Sequence, residues 1–140
     1  MWKPLFPENL HETALTSLNL NALITKSAAI LEYSKKLQSI SSDNVSIIGY
    51  QSQEAVDEYY RKCQAFIMPQ EEDFGITGIE ALSHGKPVVA LRRGGATEFI
   101  SDGLNGIFFE DATEGALANA MRIFSQKKES FNSETIKNGV

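Results

Sequence analysis

Residues 65–91 read AFIMPQEEDFGITGIEALSHGKPVVAL, and this stretch decides the fold. Its first four residues are apolar and are followed by Pro69, and residues 87–91 form a second apolar run. Short apolar runs of this kind are typical of strands buried on both faces, and a proline stops such a strand. Residues 75–84 have apolar positions at helical spacing, and Gly85 follows where a left-handed residue commonly ends a helix. The stretch therefore predicts a strand, a helix and a second, parallel strand.

Strands alternate with helices on both sides of this stretch as well. The predicted elements are a strand at 45–48 that ends at Gly49, a helix at 53–63, a helical turn around 97–100, a strand at 107–109 and a final helix with Asp111 as its N-cap. Such alternation predicts a parallel sheet with helices on both faces, so the fold class is α/β and layered. Residues 1–44 differ, because they are polar and carry apolar residues such as Leu23 and Leu37 at helical spacing. We therefore expect an N-terminal helical segment at 1–44 and one α/β domain at 45–140.

The composition excludes several classes of protein. The 140 residues are 42% hydrophobic and 22% charged, with a net charge of -5, which is typical of a soluble globular domain. No basic stripe is visible, so nucleic acid is not an expected partner, and no apolar run is long enough to span a membrane. There is no signal-peptide pattern, which favours a cytoplasmic location. The single cysteine, Cys63, and two distant histidines, His11 and His84, cannot assemble a zinc site, so no metal is expected.

The loop after the strand at 65–68 is the richest in chemistry. In parallel α/β sheets ligands bind beyond the carboxyl ends of the strands, and this loop leads through Gly75 into a helix. Unpaired amides at a helix start favour a phosphate there, and the hydroxyl of Thr77 adds a donor. Glu80 lies roughly 7 Å further along the helix axis, which is about the distance from a diphosphate to a ribose. Glu72, before the helix, is placed to contact a sugar or to stabilise positive charge at its anomeric carbon.

A simpler interpretation of the same loop stays open. Residues 71–73, Glu-Glu-Asp, are also what a solvated acidic loop before a helix N-terminus contains. A metal site is less favoured, because hard cations need further oxygen ligands that the rest of the sequence does not supply. Spacing alone does not separate a ligand-binding loop from a solvated one.

A resemblance to a known family favours the ligand-binding interpretation. The residues that carry it are EDFGITGIEA at 72–81, GKPVVA at 85–90 and GGATE at 94–98, and the similarity extends through the final helix and back to about Leu31. They resemble the C-terminal, donor-binding half of retaining GT-B glycosyltransferases of the glycogen-synthase and mannosyltransferase type (group 1, family four). The signature of that family is two glutamates separated by seven residues, which here are Glu72 and Glu80.

The resemblance implies a fold and a set of site residues. The fold is half of a GT-B fold, a partial Rossmann-like domain of three layers with a short parallel sheet. In such enzymes a nucleotide diphosphate sugar is the sugar donor, and no metal or other cofactor is expected. The resemblance makes Glu72 the catalytic residue at the donor sugar and Glu80 the residue that binds the ribose. The other donor-binding positions that it implies are Phe74, Gly75, Ile76 and Thr77.

Parts of the family pattern are missing from the sequence. Members carry an acceptor-binding domain and two further strands that bring an Arg and a Lys to the diphosphate. Neither is visible here, and Lys86, Arg92 and Arg93 are candidate substitutes for the cations. The resemblance therefore implies truncation at both ends, with a gap in the sheet beside the strand at 45–48. We expect strand rearrangement, self-association or a separate acceptor-domain polypeptide, and a non-catalytic remnant or interaction module is the alternative function.

Several other residues have more than one interpretation. Gly94 and Gly95 either line the same site or form a backbone turn that needs small residues. Tyr50 either stacks on a base or is a surface aromatic. Cys63 and His84 are expected to be a buried thiol and a helix-end residue.

Overall fold

The computed structural model describes residues 22–23, 31–48 and 50–139. Its elements in chain order are β1 (Ala22–Leu23), α1 (Leu31–Ile40), α2 (Gln53–Lys62), β2 (Ala65–Met68), α3 (Ile76–Ser83), β3 (Val88–Leu91), α4 (Ala96–Phe99), β4 (Gly106–Phe109), α5 (Glu114–Lys127), a 3-10 helix (Lys128–Ser130) and α6 (Ser133–Asn138). The strands pair in parallel in the order β1-β2-β3-β4, so α3, α4 and α5 all begin at the same edge of the sheet. None of the described helices has the length and apolar character needed to cross a membrane.

The sheet is covered by apolar side chains on both faces, which confirms the expected α/β layers. All residues of β2 and β3 are buried, and this explains why both are uninterrupted apolar runs in the sequence. Alternate strand residues point to opposite faces and divide the core in two. One core contains Tyr60, Phe66, Met68, Ala81, Leu82, Val88, Ala90, Ala96, Ile100 and Ile136. The other contains Ala65, Val89, Leu91, Ile107, Phe109, Ala120 and Phe124.

The central stretch folds as its sequence predicts. Pro69 follows β2 directly, and Gly85 adopts the left-handed conformation, with a φ of 71°, just after α3. A Cβ at Gly85 would lie 2.8 Å from the carbonyl oxygen of Ser133. The glycine that ends α3 therefore also makes room for the start of α6.

The predicted strand at 45–48 does not form, which corrects the sequence analysis. These residues have no regular secondary structure, and the side chain of Ile48 is exposed. A strand needs a partner with a free edge, and the edge of β2 is already paired in parallel with Ala22–Leu23. The expected gap in the sheet beside residues 45–48 therefore does not arise.

Two further boundaries differ from the prediction. Leu23, which has helical spacing with its neighbours, belongs to β1, whereas α1 falls inside the expected helical segment. Apart from Ala22 and Leu23, the residues before α1 lie outside the described residues. The helix predicted to start at Asp111 is α5, which is capped by Thr113 and not by Asp111. It begins at Glu114, and the Oγ1 atom of Thr113 accepts from the amide of Ala116 at 3.2 Å.

Candidate functional site

The start of α3 leaves backbone amides without partners. Gly75 precedes the helix with a φ of 65° and has no side chain to cap it. Its carbonyl accepts from the amides of Gly78 and Ile79, at 2.9 and 3.2 Å. Among the residues that the structure describes, none accepts a hydrogen bond from the amide of Ile76 or Thr77. These two amides and the helix dipole give this point a positive character that suits an anion.

Close packing beneath the helix start explains why it is built with glycine. A Cβ at Gly75 would lie 2.7 Å from the ring of Phe99 and 3.1 Å from the Cε atom of Met68. The end of α4 and the end of β2 therefore press directly on this turn. Phe74 and Ile76 flank the glycine, and 78% and 64% of their surfaces are exposed. The helix start is thus supported from below and open to solvent on its outer side.

Glu72 has a fixed position, whereas its acidic neighbours are exposed. The Nε2 atom of Gln70 donates to the Oε1 atom of Glu72 at 2.6 Å, and Glu72 is half-buried. Glu71 and Asp73 are exposed. The backbone carbonyl of Glu72 also accepts from the amide of Gly95 at 2.7 Å, which connects this loop to the loop before α4. The acidic loop is therefore not uniformly solvated.

Gly94 and Gly95 make the contact between these two loops possible. A Cβ at Gly94 would lie 2.5 Å from the carbonyl oxygen of Glu72, and a Cβ at Gly95 would overlap the carbonyl oxygen of Asp73. Gly94 also has a φ of 57°, which glycine adopts without strain. Of the two interpretations of Gly94 and Gly95, the structure supports a backbone turn that needs small residues, because the loop before α4 touches the loop before α3 through these glycines.

Glu80 on α3 is bonded to a buried tyrosine that the sequence analysis did not single out. The hydroxyl of Tyr60, on α2, lies 3.2 Å from the Oε2 atom of Glu80 and 3.2 Å from the carbonyl oxygen of Thr77. Burial, reinforced by the charge of Glu80, raises the pKa of Tyr60, so its hydroxyl stays protonated and donates. Helical spacing leaves Tyr59 and Tyr60 equally placed for the buried face of α2, and only the contact with α3 distinguishes them.

His84 closes α3, as expected, and packs on Tyr60. Its Nδ1 atom lies 2.8 Å from the carbonyl oxygen of Glu80, and its ring stacks on that of Tyr60 with the centroids 5.1 Å apart. Its Nε2 atom lies 3.8 Å from the Oδ1 atom of Asp57 on α2. The expected burial of Cys63 is confirmed too, and this burial raises the pKa of its thiol.

The candidate cations Arg92 and Arg93 differ in whether they already form ion pairs with carboxylates. Arg92 donates to Glu110 at 2.6 Å and to Asp102 at 2.8 Å, and its guanidinium lies 4.3 Å from the centre of the Phe108 ring. Hydrogen bonds to these two carboxylates raise the pKa of Arg92 above its usual value. Arg93, next to it, is exposed. Arg92 is therefore part of a surface ion-pair cluster.

Two further expectations concern metals and Tyr50. In the described part of the chain, no group of three or more His, Cys, Asp or Glu residues is arranged to hold a metal ion.

Tyr50 is 90% exposed, which agrees with a surface aromatic and leaves its ring accessible.

Comparison with known proteins identifies the family. Residues 31–139 match the family model described as Glycosyl transferases group 1. The match begins where the sequence resemblance begins, at Leu31, and it includes all of α3 together with Glu72 and Glu80. The chain therefore belongs to the group 1 glycosyl transferases.

Curated relatives match part of the chain and a small part of their own length. Over 102 residues the chain is 31% identical to mannosylfructose-phosphate synthase of Agrobacterium fabrum, a match that covers 72% of the chain and 20% of the relative. Over 67 residues it is 36% identical to D-inositol 3-phosphate glycosyltransferase of Nocardiopsis dassonvillei, which covers 47% of the chain and 16% of the relative. The chain thus spans a fifth or less of the length of these two relatives.

Solved structures share the fold. Sucrose-phosphate synthase from Thermosynechococcus elongatus superposes with a TM-score of 0.66 and 27% identity, over 76% of this chain and 27% of that one. Anabaena Alr3699/HepE in complex with UDP-glucose superposes with a TM-score of 0.63 and 23% identity, over 79% of this chain and 30% of that one. The expected Rossmann-like half of a GT-B fold is confirmed by these similarities.

Proposed function

We propose that this chain is a sugar-donor-binding domain. It binds a nucleotide diphosphate sugar, whose sugar is transferred to an acceptor hydroxyl with retention of the anomeric configuration. The observation that carries the proposal is the uncapped start of α3, where the amides of Ile76 and Thr77 have no partner among the described residues. Glu72 precedes this start and Glu80 follows it, in the paired-glutamate pattern of the family motif. Family membership and a structural neighbour in complex with UDP-glucose support the same class of ligand.

Each group in this region has a chemical task in the proposed reaction. The bond between the anomeric carbon and the diphosphate breaks, and negative charge develops on the leaving diphosphate. The amides of residues 74–77 and the dipole of α3 stabilise that charge, so the proposed reaction needs no metal. Glu80 accepts hydrogen bonds from the ribose hydroxyls. Glu72 contacts the sugar, on whose anomeric carbon positive charge develops.

The acceptor and the cellular setting also belong to the proposal. We propose that the acceptor site lies on an acceptor-binding domain outside this sequence, on a separate polypeptide or on a second copy of the chain. We further propose a cytoplasmic role in polysaccharide or glycoconjugate biosynthesis. The chain's 35% identity to lipopolysaccharide 1,2-N-acetylglucosaminetransferase of Salmonella typhimurium, over 54% of the chain and 21% of that relative, supports the biosynthetic role.

Calorimetric titration with UDP-glucose, ADP-glucose and GDP-mannose tests sugar-donor binding. We expect the wild-type chain to bind at least one of them, and Glu80→Ala to abolish that binding because the ribose loses its carboxylate. Glu129→Ala removes an exposed glutamate from the 3-10 helix and is the matched control, expected to bind like wild type. A wild-type chain that binds none of the three nucleotide sugars, or an unchanged titration of Glu80→Ala, would overturn the assignment.

The alternative function is a non-catalytic remnant or interaction module with the same fold. The ion pairs of Arg92 with Asp102 and Glu110 favour it, because they leave this cation less able to neutralise a diphosphate. The purified chain can be assayed for sugar transfer and for hydrolysis of a nucleotide sugar by measuring the release of product or free sugar. Either activity would rule the alternative out.

A further inference from the structure

Tyr60 is fully buried between α2 and α3, and its position is tightly determined. Only 1% of its surface is exposed. Its ring stacks on His84 at 5.1 Å and packs at a tilt against Phe66 at 5.7 Å, measured between ring centroids. A tyrosine ring that is held on two sides in this way places its hydroxyl at one point, and a buried hydroxyl requires a hydrogen-bond partner.

The hydroxyl of Tyr60 has two acceptors within reach, and they are not equivalent. The carbonyl oxygen of Thr77 and the Oε2 atom of Glu80 both lie at 3.2 Å. A carbonyl in the first turn of an α-helix ordinarily accepts from the amide four residues later, whereas a carboxylate is charged and is the stronger acceptor. The bond to Glu80 is therefore the one that restricts a side chain which would otherwise rotate.

The other carboxylate oxygen of Glu80 remains available. Within the described residues, its Oε1 atom forms no hydrogen bond, and Glu80 is only half-buried. Tyr60 thus holds one oxygen and leaves the second for a ligand. A binding group fixed by the fold loses less conformational entropy when the ligand binds, which increases affinity.

We infer that Tyr60 is a positioning residue for Glu80: its buried hydroxyl holds one carboxylate oxygen so that the other accepts from the ribose of the nucleotide. This inference rests on the proposed function. It predicts that Tyr60 acts on recognition of the ribose and not on recognition of the diphosphate.

The Tyr60→Phe variant tests this role, because it keeps the ring and removes only the hydroxyl. Calorimetry would compare UDP, ADP and GDP, each with its 2′-deoxy form, on wild type and variant. We expect wild type to bind the ribose forms more tightly than the deoxy forms. In Tyr60→Phe this ratio of affinities should fall roughly three- to tenfold, while the affinity for the deoxy forms stays the same. Tyr59→Phe removes the hydroxyl of the more exposed neighbour on α2 and is expected to leave the preference unchanged.

A double-mutant cycle on thermal unfolding, with Tyr60→Phe and Glu80→Ala, tests the contact without any ligand. We expect the two substitutions to be non-additive, whereas additive shifts in melting temperature would overturn the contact and the inference. If wild type binds none of UDP, ADP and GDP, the proposed function fails and this inference with it. If wild type binds and Tyr60→Phe keeps the full ribose preference, the inference alone is overturned.

Discussion

Two helices that begin at the same edge of the sheet begin in opposite ways. α5 follows β4, and the Oγ1 atom of Thr113 caps it by accepting from the amide of Ala116 at 3.2 Å, with Glu114 in the first turn. α3 follows β2 and begins after Gly75, which has no capping side chain, and its first turn contains no acidic residue. Both helices are well buried, α3 through Ala81 and Leu82 in one core and α5 through Ala120 and Phe124 in the other. The difference therefore lies in the helix start and not in the burial of the helix.

The start of α3 also differs from the starts of two other helices. Like α5, α2 and α6 are capped by side chains, Ser52 and Asn132, each of which accepts from an amide of the first turn. Such caps satisfy amides that the helix itself cannot satisfy. At α3 no side chain caps the amides of the first turn, and the position of the turn is maintained by packing of Gly75 on Phe99. We interpret the free amides of α3 as reserved for a ligand.

The largest expected effect comes from substituting the glycine that starts α3. Gly75→Ala should lower the free energy of unfolding by about 2–5 kcal/mol, because its left-handed backbone disfavours a side chain and the new Cβ meets Phe99. Gly103→Ala is the matched control: its φ is 80°, but its Cβ would touch nothing within 4 Å. We therefore expect only about 1–2 kcal/mol for the control. Equal losses in urea denaturation would contradict the close packing under α3.

A smaller effect is expected at the loop contact beside α3. Gly95→Ala has an ordinary backbone conformation, so its cost is steric, from overlap of the Cβ with the carbonyl of Asp73. We expect a loss of about 1–3 kcal/mol in the free energy of unfolding. Gly115→Ala, in the first turn of α5, has open space around its Cβ and should stabilise the chain by about 0.5–1 kcal/mol. The two substitutions should change the urea midpoint in opposite directions, and a shared direction would contradict the steric difference between Gly95 and Gly115.

The smallest expected effect comes from the cap of α5. Thr113→Ala should cost about 1 kcal/mol of stability, because the amide of Ala116 loses its acceptor. Thr113→Ser keeps the hydroxyl and should recover most of that loss. Neither change should alter the affinity for a nucleotide sugar in calorimetry. A weaker affinity in Thr113→Ala would mean that the start of α5, and not only that of α3, takes part in binding.

The parts of the fold that sequence predicted correctly are those with local determinants. The strand-helix-strand unit at 65–91 is specified by two fully buried runs and by Pro69 and Gly85, which end β2 and α3. The prediction of a strand at 45–48 was wrong, because a β-branched run does not reveal whether a partner strand has a free edge. Here the edge of β2 is already paired with β1. Pairing between distant segments is not encoded in either segment alone.

The candidate site divides in the same way. Its residues lie in one continuous motif, so Glu72, Gly75 and Glu80 could be named from the sequence. The contact between Tyr60 and Glu80 could not, because it joins two helices and helical spacing does not choose between Tyr59 and Tyr60. The ion pairs of Arg92 likewise could not be predicted, because their carboxylates, Asp102 and Glu110, come from other loops.

A nitrogen-15-resolved NMR titration with UDP tests the central claim most directly, because it observes single amides. The account predicts that the amide signals of Ile76 and Thr77 move as the diphosphate accepts from them, while those of Glu114 and Gly115 at the start of α5 stay in place. Signals of Ile76 and Thr77 that do not move at UDP concentrations saturating in calorimetry would contradict it.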